Sequence, residues 1–362
     1  MIVSKKRATR ALVGLGVSLL ALPALAQTYT QTNLVSDGSV PAVTVDPSLI
    51  NPWGMSYAPL GEFWVSDNGT GVSTLYNGAG TKAGLTVTIP PAVSGVSAPT
   101  GQVYNGSSTD FMVKSGGVKG ASVFLFDSED GAISGWAPSV NGTVAIIAVN
   151  NAKEGAVYKA LAIATKGKHQ YLYATNFFTG EVEMYDHKFN LLKTFTDTTL
   201  PAGYAPYNVQ NLGGTLYVTF GKQNKQKHDS VSCAGCGYVD AFSLTGTLER
   251  RVASGGALNA PWGLDIAPTG FGSFTGDLLV GNFGDGWINA YNPKTGAYAG
   301  ALMNTNGSPL VIQDLWGLIT GNGGQGGATN AVYFTAGLAG EAHGLFGSLT
   351  LAADSTKTNG AH

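Results

Sequence analysis

The chain alternates short apolar runs with polar turns rich in glycine from about residue 29 onward. Runs such as FWVSD at 63–67, LYATN at 172–176 and LLVGN at 278–282 are each followed by a turn that contains Gly. Such brief runs predict β-strands, because strands need only a handful of residues and helical periodicity is nearly absent. The pattern therefore predicts an all-β protein.

The strands recur in groups. The phrase NPWGMSYAP at 51–59 is echoed by NAPWGLDIAP at 259–268, and looser copies lie between and after them. Six anchor residues, spaced about 50 residues apart, start the copies: Trp53, Thr100, Tyr158, Tyr207, Trp262 and Trp316. Each anchor begins one strand, and two or three further strands follow it. This period predicts a six-bladed β-propeller, since a β-sandwich would not repeat every four strands.

The two ends of the repeat region complement each other. The sixth copy stops after HGLFGSLTL at 343–351 without a fourth strand, whereas YTQTNLVSD at 29–37 precedes the first copy as an extra strand. Pairing the two would close the ring without exposed edges. We therefore expect the propeller to span residues 27–351, with its last blade closed by the N-terminal strand, and a polar tail at 352–362.

The first 26 residues have the pattern of a secretory signal peptide. Lys5, Lys6, Arg7 and Arg10 precede the apolar run ALVGLGVSLLALPALA, which ends in an A-x-A cleavage signal. An uncleaved anchor is the alternative, but the run is shorter than the ~20 apolar residues that a membrane span needs. We expect cleavage near Gln27 and a periplasmic or secreted protein without a membrane span.

Composition narrows the possible partners. Charged residues make up 12% of the chain and the formal net charge is −2. Nucleic-acid binding draws its affinity from an excess of Lys and Arg, which this chain lacks. We therefore expect no nucleic-acid partner, and a monomer that binds a small molecule, a glycan or a protein.

Several motifs resemble those of a known group of proteins. At WVSDNGTGVSTLYNG, EDGAISGW and GDLLVGNFGDGWINAYNPKTG the chain resembles an uncharacterised family of exported bacterial proteins, and it is similar to NHL-type six-bladed propellers. The resemblance implies a propeller and an exported location, but it brings no assigned activity. Some relatives end in a PEP-CTERM sorting tail; this chain ends in TKTNGAH, so the resemblance favours release over surface sorting.

Polar turns gather on one predicted face. In a propeller, the loops entering the first strand of a blade and those joining its second and third strands emerge together. These positions hold Asp67, Asn68, Asn176, Asn282, Asp285, Glu341 and His343. Their oxygens are of the kind that bind calcium, with Asn176 and Asn282 as the candidate metal ligands. The alternative is that Asn and Asp simply favour β-turns.

A long insertion, KQNKQKHDSVSCAGC at 222–236, interrupts this turn in the fourth repeat and is long enough to cover the channel mouth. It offers Lys222, His228 and Asp229 for binding or acid–base work, or it is a solvated loop with ordinary surface charges. Cys233 and Cys236 form a C-x-x-C motif for which we expect a local disulfide, since a zinc site needs further ligands.

Two functions remain open at this stage. The lack of a nucleophile beside a base favours a binding or scaffolding propeller that uses its lidded face. The alternative is a calcium-dependent hydrolase or lyase of the lactonase type, with Asn176, Asn282 and a carboxylate as ligands. A zinc centre with three histidines is not expected, because His169 and His187 fall on the opposite face. The recurring aromatic anchors are interpreted as core rather than as a ligand platform.

Overall fold

The computed structural model describes Met1 and residues 27–353. Residues 2–26 of the predicted signal peptide and residues 354–362 of the predicted tail therefore lie outside the described residues. The described residues form five four-stranded antiparallel sheets and one six-stranded sheet, so the prediction of an all-β six-bladed propeller is confirmed. The first two strands in the chain, β1 (Thr28–Ser36) and β2 (Thr44–Val45), belong to the six-stranded sheet together with the last strands.

The first two blades differ by one insertion. Blade one contains β3 (Pro52–Ser56), β4 (Phe63–Asp67), β5 (Val72–Tyr76) and β6 (Lys82–Thr88). Blade two begins with β7 (Pro99–Tyr104), continues through an inserted hairpin, β8 (Met112–Ser115) and β9 (Val118–Ala121), and ends with β10 (Phe124–Ser128), β11 (Ala132–Trp136) and β12 (Ile146–Asn150). The hairpin forms a separate two-stranded sheet.

Blades three to five are regular. Blade three contains β13 (Tyr158–Lys166), β14 (His169–Asn176), β15 (Glu181–Tyr185) and β16 (Leu191–Phe195). Blade four contains β17 (Tyr204–Leu212), β18 (Thr215–Lys222), β19 (Tyr238–Phe242) and β20 (Leu248–Ser254). Blade five contains β21 (Pro261–Ile266), a 3-10 helix (Gly272–Phe274), β22 (Leu278–Asn282), β23 (Ile288–Tyr291) and β24 (Tyr298–Ala301).

The sixth blade joins the two ends of the propeller. It contains β25 (Met303–Asn304), β26 (Leu315–Thr320), β27 (Val332–Ala336), the short helical turn α1 (Leu338–Glu341) and β28 (Leu345–Leu351). Strand β1 pairs antiparallel with β28, with Thr30 opposite Thr350 and Ser36 opposite Leu345. The N-terminal strand thus supplies the fourth strand of this blade, as expected from the complementary ends.

The first strand of each blade lies at the centre, and β3, β7, β13, β17, β21 and β26 contact one another around a closed ring. Glycine makes their close approach possible. A Cβ atom added at Gly54 would lie 2.5 Å from the carbonyl oxygen of Thr100, and one at Gly317 would lie 2.7 Å from that of Trp53. The glycine of the repeated PWG phrase is therefore a packing requirement of the central ring.

Pairing within the blades aligns the anchor residues and corrects one of them. Pro52 pairs with Asp67 in blade one, and Tyr158 pairs with Asn176 in blade three. The residue that corresponds to Trp53 is consequently Lys159 and not Tyr158. Tyr158 instead points into blade three, where its hydroxyl donates a hydrogen bond to Glu183 (2.7 Å).

The aromatic anchors fill the centre of the ring. Trp53 stacks on Trp316 with ring centres 3.5 Å apart, and Trp262 meets both edge-on. Tyr207 contacts Trp316 with ring centres 6.0 Å apart, and all four side chains are buried. The core interpretation of these residues is confirmed, and the cluster forms a plug across the central channel. Within the described part of the chain, no helix has the length and apolar character needed to cross a membrane.

Candidate functional site

A buried lysine lies directly above the aromatic plug. The ammonium of Lys159 forms an ion pair with Glu129 and a second with Asp229 (3.5 Å), although the lysine side chain is only 1% exposed. It also lies over the indole of Trp53, 5.1 Å from the ring centre. This end of the channel, where the inner strands begin, is called the mouth. The ammonium of Lys159 is thus held at the mouth by two carboxylates and by the face of an indole ring.

A chain of hydrogen bonds links two carboxylates across the mouth. The amide of Asn68 donates to Glu129 (2.9 Å), and the amide of Asn51 donates both to Asn68 (3.1 Å) and to Glu341 (2.9 Å). Trp316 holds Asn51 in place by donating its indole N–H to the side-chain oxygen (2.9 Å). The relay ties the position of both carboxylates to the aromatic plug.

The backbone that carries Glu341 is strained. Ala339, Gly340 and Glu341 all have positive φ angles, of 57°, 69° and 70°. Left-handed backbone is unfavourable for residues with a Cβ atom, and such strain concentrates at functional sites. The turn aims Glu341 at the mouth. Burial, and then the nearby Glu129 carboxylate, raise the pKa of Glu341 to about 7, against the opposing effects of Asn51 and Lys159.

The segment 222–236, which we call the lid, supplies the other side of the site. His228 Nδ1 lies 2.7 Å from Asp229 Oδ1. The hydrogen bond with Asp229 raises the pKa of His228, and the same bond is the main reason that the pKa of Asp229 falls to about 2. Cys233 and Cys236 form a disulfide, as predicted, with Cα atoms 5.3 Å apart.

The mouth cluster, defined as Glu129, Lys159, His228, Asp229 and Glu341, contains a set of possible metal ligands. Ligand atoms of Glu129, His228 and Asp229 lie within 4.8 Å of one another. Lys159 already provides a positive charge between the two carboxylates, so a cation would have to compete with its ammonium. The cluster is equally able to exchange hydrogen bonds with a neutral or amine-bearing molecule.

The structure brings four of the predicted residues into or beside this cluster: Asn68, His228, Asp229 and Glu341. Lys222, at the end of β18, is exposed. His343 instead pairs with Asp37, with Nδ1 2.7 Å from the carboxylate. Asp67 is completely buried and accepts a hydrogen bond from Thr74 (2.7 Å) inside blade one. These positions belong to the blades rather than to the mouth cluster.

The two candidate calcium ligands lie in different blades. Asn176 donates to Glu183 (2.7 Å), and its amide oxygen accepts from the backbone N–H groups of Val157 and Thr179 (both 3.3 Å). The amide group of Asn176 is therefore used within its own blade. It fits a turn-stabilising role better than a metal-binding one, and calcium binding there stays a prediction.

Asn282 has one free oxygen. Its amide N–H groups donate to the backbone oxygen of Ala257 (2.8 Å) and to Asp285 (3.0 Å). Its side-chain oxygen is buried without a hydrogen-bond partner, and so is that of nearby Asn259. This turn can accept a water molecule or an ion, but it lies two blades away from Asn176.

Three site residues were missed at the sequence level: Asn51, Glu129 and Lys159. A lysine in the otherwise apolar strand YKALAIA at 158–164 was an available signal, because buried charges are rare without a partner. Glu129 directly follows β10, the second strand of blade two, beyond the inserted hairpin. Asn51 directly precedes the repeated PWG phrase.

A separate pocket of about 330 Å³ lies at the other end of the channel, lined by the distal ends of the inner strands. Gln102, Gln210 and Asn211 contribute amides to it, and Asp265 contributes a carboxyl group. Burial raises the pKa of Asp265 to about 6, although Thr320 donates a hydrogen bond to it (2.7 Å). The aromatic plug separates this pocket from the mouth.

Comparison with known proteins places the chain among uncharacterised relatives. It is 32% identical over 329 residues to "Uncharacterized protein R648" of Acanthamoeba polyphaga mimivirus, covering 89% of this chain and 80% of that protein. It is 34% identical over 300 residues to "Uncharacterized protein L690" of the same virus, covering 80% and 78%. A search against models of known protein families found no match.

Solved structures with a similar course of the chain are distant in sequence. A streptogramin B lyase has a TM-score of 0.47 and 11% identity, over 90% of this chain and 97% of the lyase. A nidogen/laminin complex contains a chain with a TM-score of 0.48 and 14% identity, over 74% of this chain and 82% of that one.

Proposed function

The chain belongs to the same family as the mimivirus proteins R648 and L690, and we propose that it is an exported propeller that binds one small polar molecule at its lidded mouth. The mouth cluster is the binding site in this proposal. The segment 222–236 acts as a cover that contributes His228 and Asp229.

One observation carries the proposal, namely the buried charge of Lys159. Corresponding positions in the other blades hold the apolar or uncharged residues of the central ring, such as Trp53, Tyr207 and Trp262. An apolar side chain at this position would serve stability as well or better, since burying an ion pair removes both charges from water. Lys159 is nevertheless charged and buried, and Glu341 lies nearby on strained backbone. Together these two features support ligand recognition.

The balance of charge defines the class of molecule. Glu129, Asp229 and Glu341 provide carboxyl groups, against the ammonium of Lys159 and the imidazole of His228. Carboxylates accept hydrogen bonds from hydroxyl and amino groups, and the lysine ammonium donates to hydroxyl or carbonyl oxygens. A hydroxyl-rich neutral molecule or an amino sugar matches this set better than an anion does.

Tryptophan fluorescence provides a direct test, because Trp53, Trp262 and Trp316 lie immediately below the cluster. Glucose, glucosamine and glucuronate serve as neutral, cationic and anionic probes. We expect a saturable fluorescence change with glucosamine or glucose that is weaker with glucuronate. The change should be lost in the double variant Lys159→Met, Glu129→Gln, which removes both members of the buried ion pair, while the exposed Asp229 keeps its contact with His228.

Lys166→Met is the matched control, since Lys166 lies at the far end of the same strand, β13, and is exposed. It should leave the fluorescence change intact. A double variant that binds the probes as tightly as the unchanged protein, or the absence of any saturable response, would argue against the mouth as a small-molecule site.

A metal-dependent hydrolase or lyase is the second candidate. It is favoured by the convergence of Glu129, His228 and Asp229 and by the pKa of about 7 for Glu341, which suits a group that both takes up and releases a proton near neutral pH. Calcium would then raise the melting temperature by mass action, and chelator would reverse the effect. If the melting temperature of the unchanged protein is the same with and without calcium, the calcium-dependent form of this candidate is excluded; if calcium raises it, Asp229→Asn should reduce the rise.

Export is also part of the proposal. It is supported by the charged and apolar pattern before Gln27 and by the disulfide in the lid, since disulfides persist in oxidising compartments. Expression of the full chain in a Gram-negative host should give a periplasmic or secreted protein whose N-terminus is near Gln27. A cytoplasmic protein that retains the first residues would contradict it.

A further inference from the structure

Three residues distant in sequence meet on the face opposite the mouth. Asp110 lies between β7 and β8, His169 begins β14, and His187 lies in the turn between β15 and β16. His169 Nδ1 is 3.0 Å from Asp110 Oδ1, and the two imidazole rings stack with centres 3.8 Å apart and planes 10° apart. One ligand atom from each of the three lies within 4.8 Å of the others.

The surrounding backbone holds these side chains in place. The backbone N–H of Phe111 donates to the carbonyl oxygen of His187 (2.8 Å), which ties the segment carrying Asp110 to the turn carrying His187. The amide N–H of Gln170, next to His169, donates to the second oxygen of Asp110 (2.9 Å). The rings of Phe111 and Phe189 pack below, 5.2 Å apart. These bonds hold the backbone of the three residues together without a ligand. Because the stacked rings direct their nitrogen lone pairs in parallel, His187 would have to turn out of the stack to share one ion with His169.

The carboxyl group of Asp110 is buried and fully engaged. Its side chain is 1% exposed, and its two oxygens lie within hydrogen-bond distance of His169 Nδ1 and of the backbone N–H of Gln170. A buried carboxylate thus faces two imidazole rings, which are half-buried and open toward a pocket of about 370 Å³.

We propose that Asp110, His169 and His187 bind one divalent transition-metal ion, with zinc as the best-matched example. Two imidazole nitrogens and one carboxylate oxygen form a ligand set suited to zinc and its neighbours and not to calcium, which prefers oxygens only. The observed 3.0 Å between nitrogen and oxygen is close to the roughly 2.9–3.4 Å that separates two ligands bound to one ion at ~2.0–2.1 Å. Binding through Nδ1 would replace the hydrogen bond between His169 and Asp110.

The open side of the ion would face the pocket. Met112, Lys119 and Lys188 line it together with the three ligands. The two lysines disfavour a bare cation but attract an anion, so the remaining coordination positions would accept water or an anionic group. Such a site keeps an open position, which distinguishes it from a closed structural zinc site.

Zinc binding is tested with untagged protein by calorimetry, and cobalt provides a second measurement because its visible absorption depends on its ligands. We expect one equivalent of zinc to bind. His169→Ala and His187→Ala should each weaken binding by roughly 100-fold or more, since even loss of an outer hydrogen-bond partner costs 10–100-fold. The cobalt spectrum should change in the same two variants.

Controls separate this site from the mouth cluster. His228→Ala and His343→Ala remove histidines from the other face and should leave zinc affinity and the cobalt spectrum unchanged. Asp110→Asn, with its melting temperature measured in parallel, should weaken binding while the propeller stays folded. Three results would overturn the proposal. They are an unchanged zinc affinity in His187→Ala, loss of zinc binding in His228→Ala, and no zinc binding to the unchanged protein at ~100 μM.

Discussion

Replacing Glu341 by Gln tests the electrostatics of the mouth without changing its shape. Gln keeps an oxygen that can accept the hydrogen bond from Asn51, but it cannot ionise. The substitution therefore isolates the effect of the charge. Because partial burial and the nearby Glu129 carboxylate raise its pKa, the ionised form of Glu341 should be the costly one in the folded protein.

The size of the effect follows from the pKa. Burial raises the pKa of Glu341 from an ordinary value of 4.5 to about 7 in the folded protein. Between these two values the folded state holds a proton that the unfolded state has released, so the free energy of unfolding falls as the pH rises. A shift of this size lowers the free energy of unfolding by about 3 kcal/mol. The loss is complete above pH ~7 and absent below pH ~4.5.

Chemical denaturation at pH 5 and pH 8 measures the difference. We expect Glu341→Gln to match the unchanged protein within about 0.5 kcal/mol at pH 5 and to be more stable by up to about 3 kcal/mol at pH 8. Glu154→Gln removes an exposed carboxylate and serves as the control, with similar stability differences at both pH values. If Glu341→Gln is equally or less stable at pH 8, then Glu341 is not held in a site that penalises its charge.

Three further predictions concern closure, the lid and calcium. A chain that begins at Asp37 lacks the buried side chains of Tyr29, Leu34 and Val35. Its free energy of unfolding, measured by chemical denaturation, should be lower by about 5 kcal/mol or more. An unchanged midpoint would refute the closing role of β1. Replacing Cys233 and Cys236 by Ser should lower stability by at most about 1–2 kcal/mol, since the bridged loop is so short, and a greater loss would show that the disulfide supports more than the lid. Asn176→Ala breaks a buried hydrogen bond to Glu183 and should cost about 1–3 kcal/mol in calorimetry with or without calcium, whereas loss of a calcium-dependent melting shift would restore Asn176 as a ligand.

The fold was predictable because its signals are local and repeated. Each blade repeats a short apolar run, a polar turn and a glycine that the central ring requires, as Gly54 and Gly317 show. The closing strand was predictable for a similar reason, since a missing strand at one end matched an extra strand at the other. Neither inference needed knowledge of which side chains touch.

Glu129 was not predictable because an insertion interrupts the repeat in blade two. The hairpin β8–β9 separates the first strand of that blade from its second, β10, which pairs with β7 with Ser128 opposite Pro99. Glu129 therefore follows the second strand of its blade, the position that Asn68 occupies in blade one. The spacing along the sequence does not show this equivalence, because the hairpin adds residues before β10.

The mouth cluster was only partly predictable because its contacts cross between blades. Lys159 comes from blade three, its partner Glu129 from blade two, and Glu341 from the last blade. No spacing along the chain indicates that these residues meet, since their proximity depends on closure of the whole ring. One residue type did carry information. A lysine in an apolar inner strand requires a partner of opposite charge, so Lys159 indicated that a carboxylate lies nearby.

The aromatic plug has a consequence for how the two ends of the propeller can work. Trp53, Trp262 and Trp316 fill the channel with buried, mutually stacked rings, so a molecule bound at the mouth cannot pass through to the pocket near Asp265. Movement of a side chain in so densely packed a cluster would be costly. The mouth and the opposite face are therefore expected to bind their ligands independently. Loss of Lys159 and Glu129 should leave zinc affinity at His169 and His187 unaltered, and a change would mean that the plug transmits a shift between the two faces.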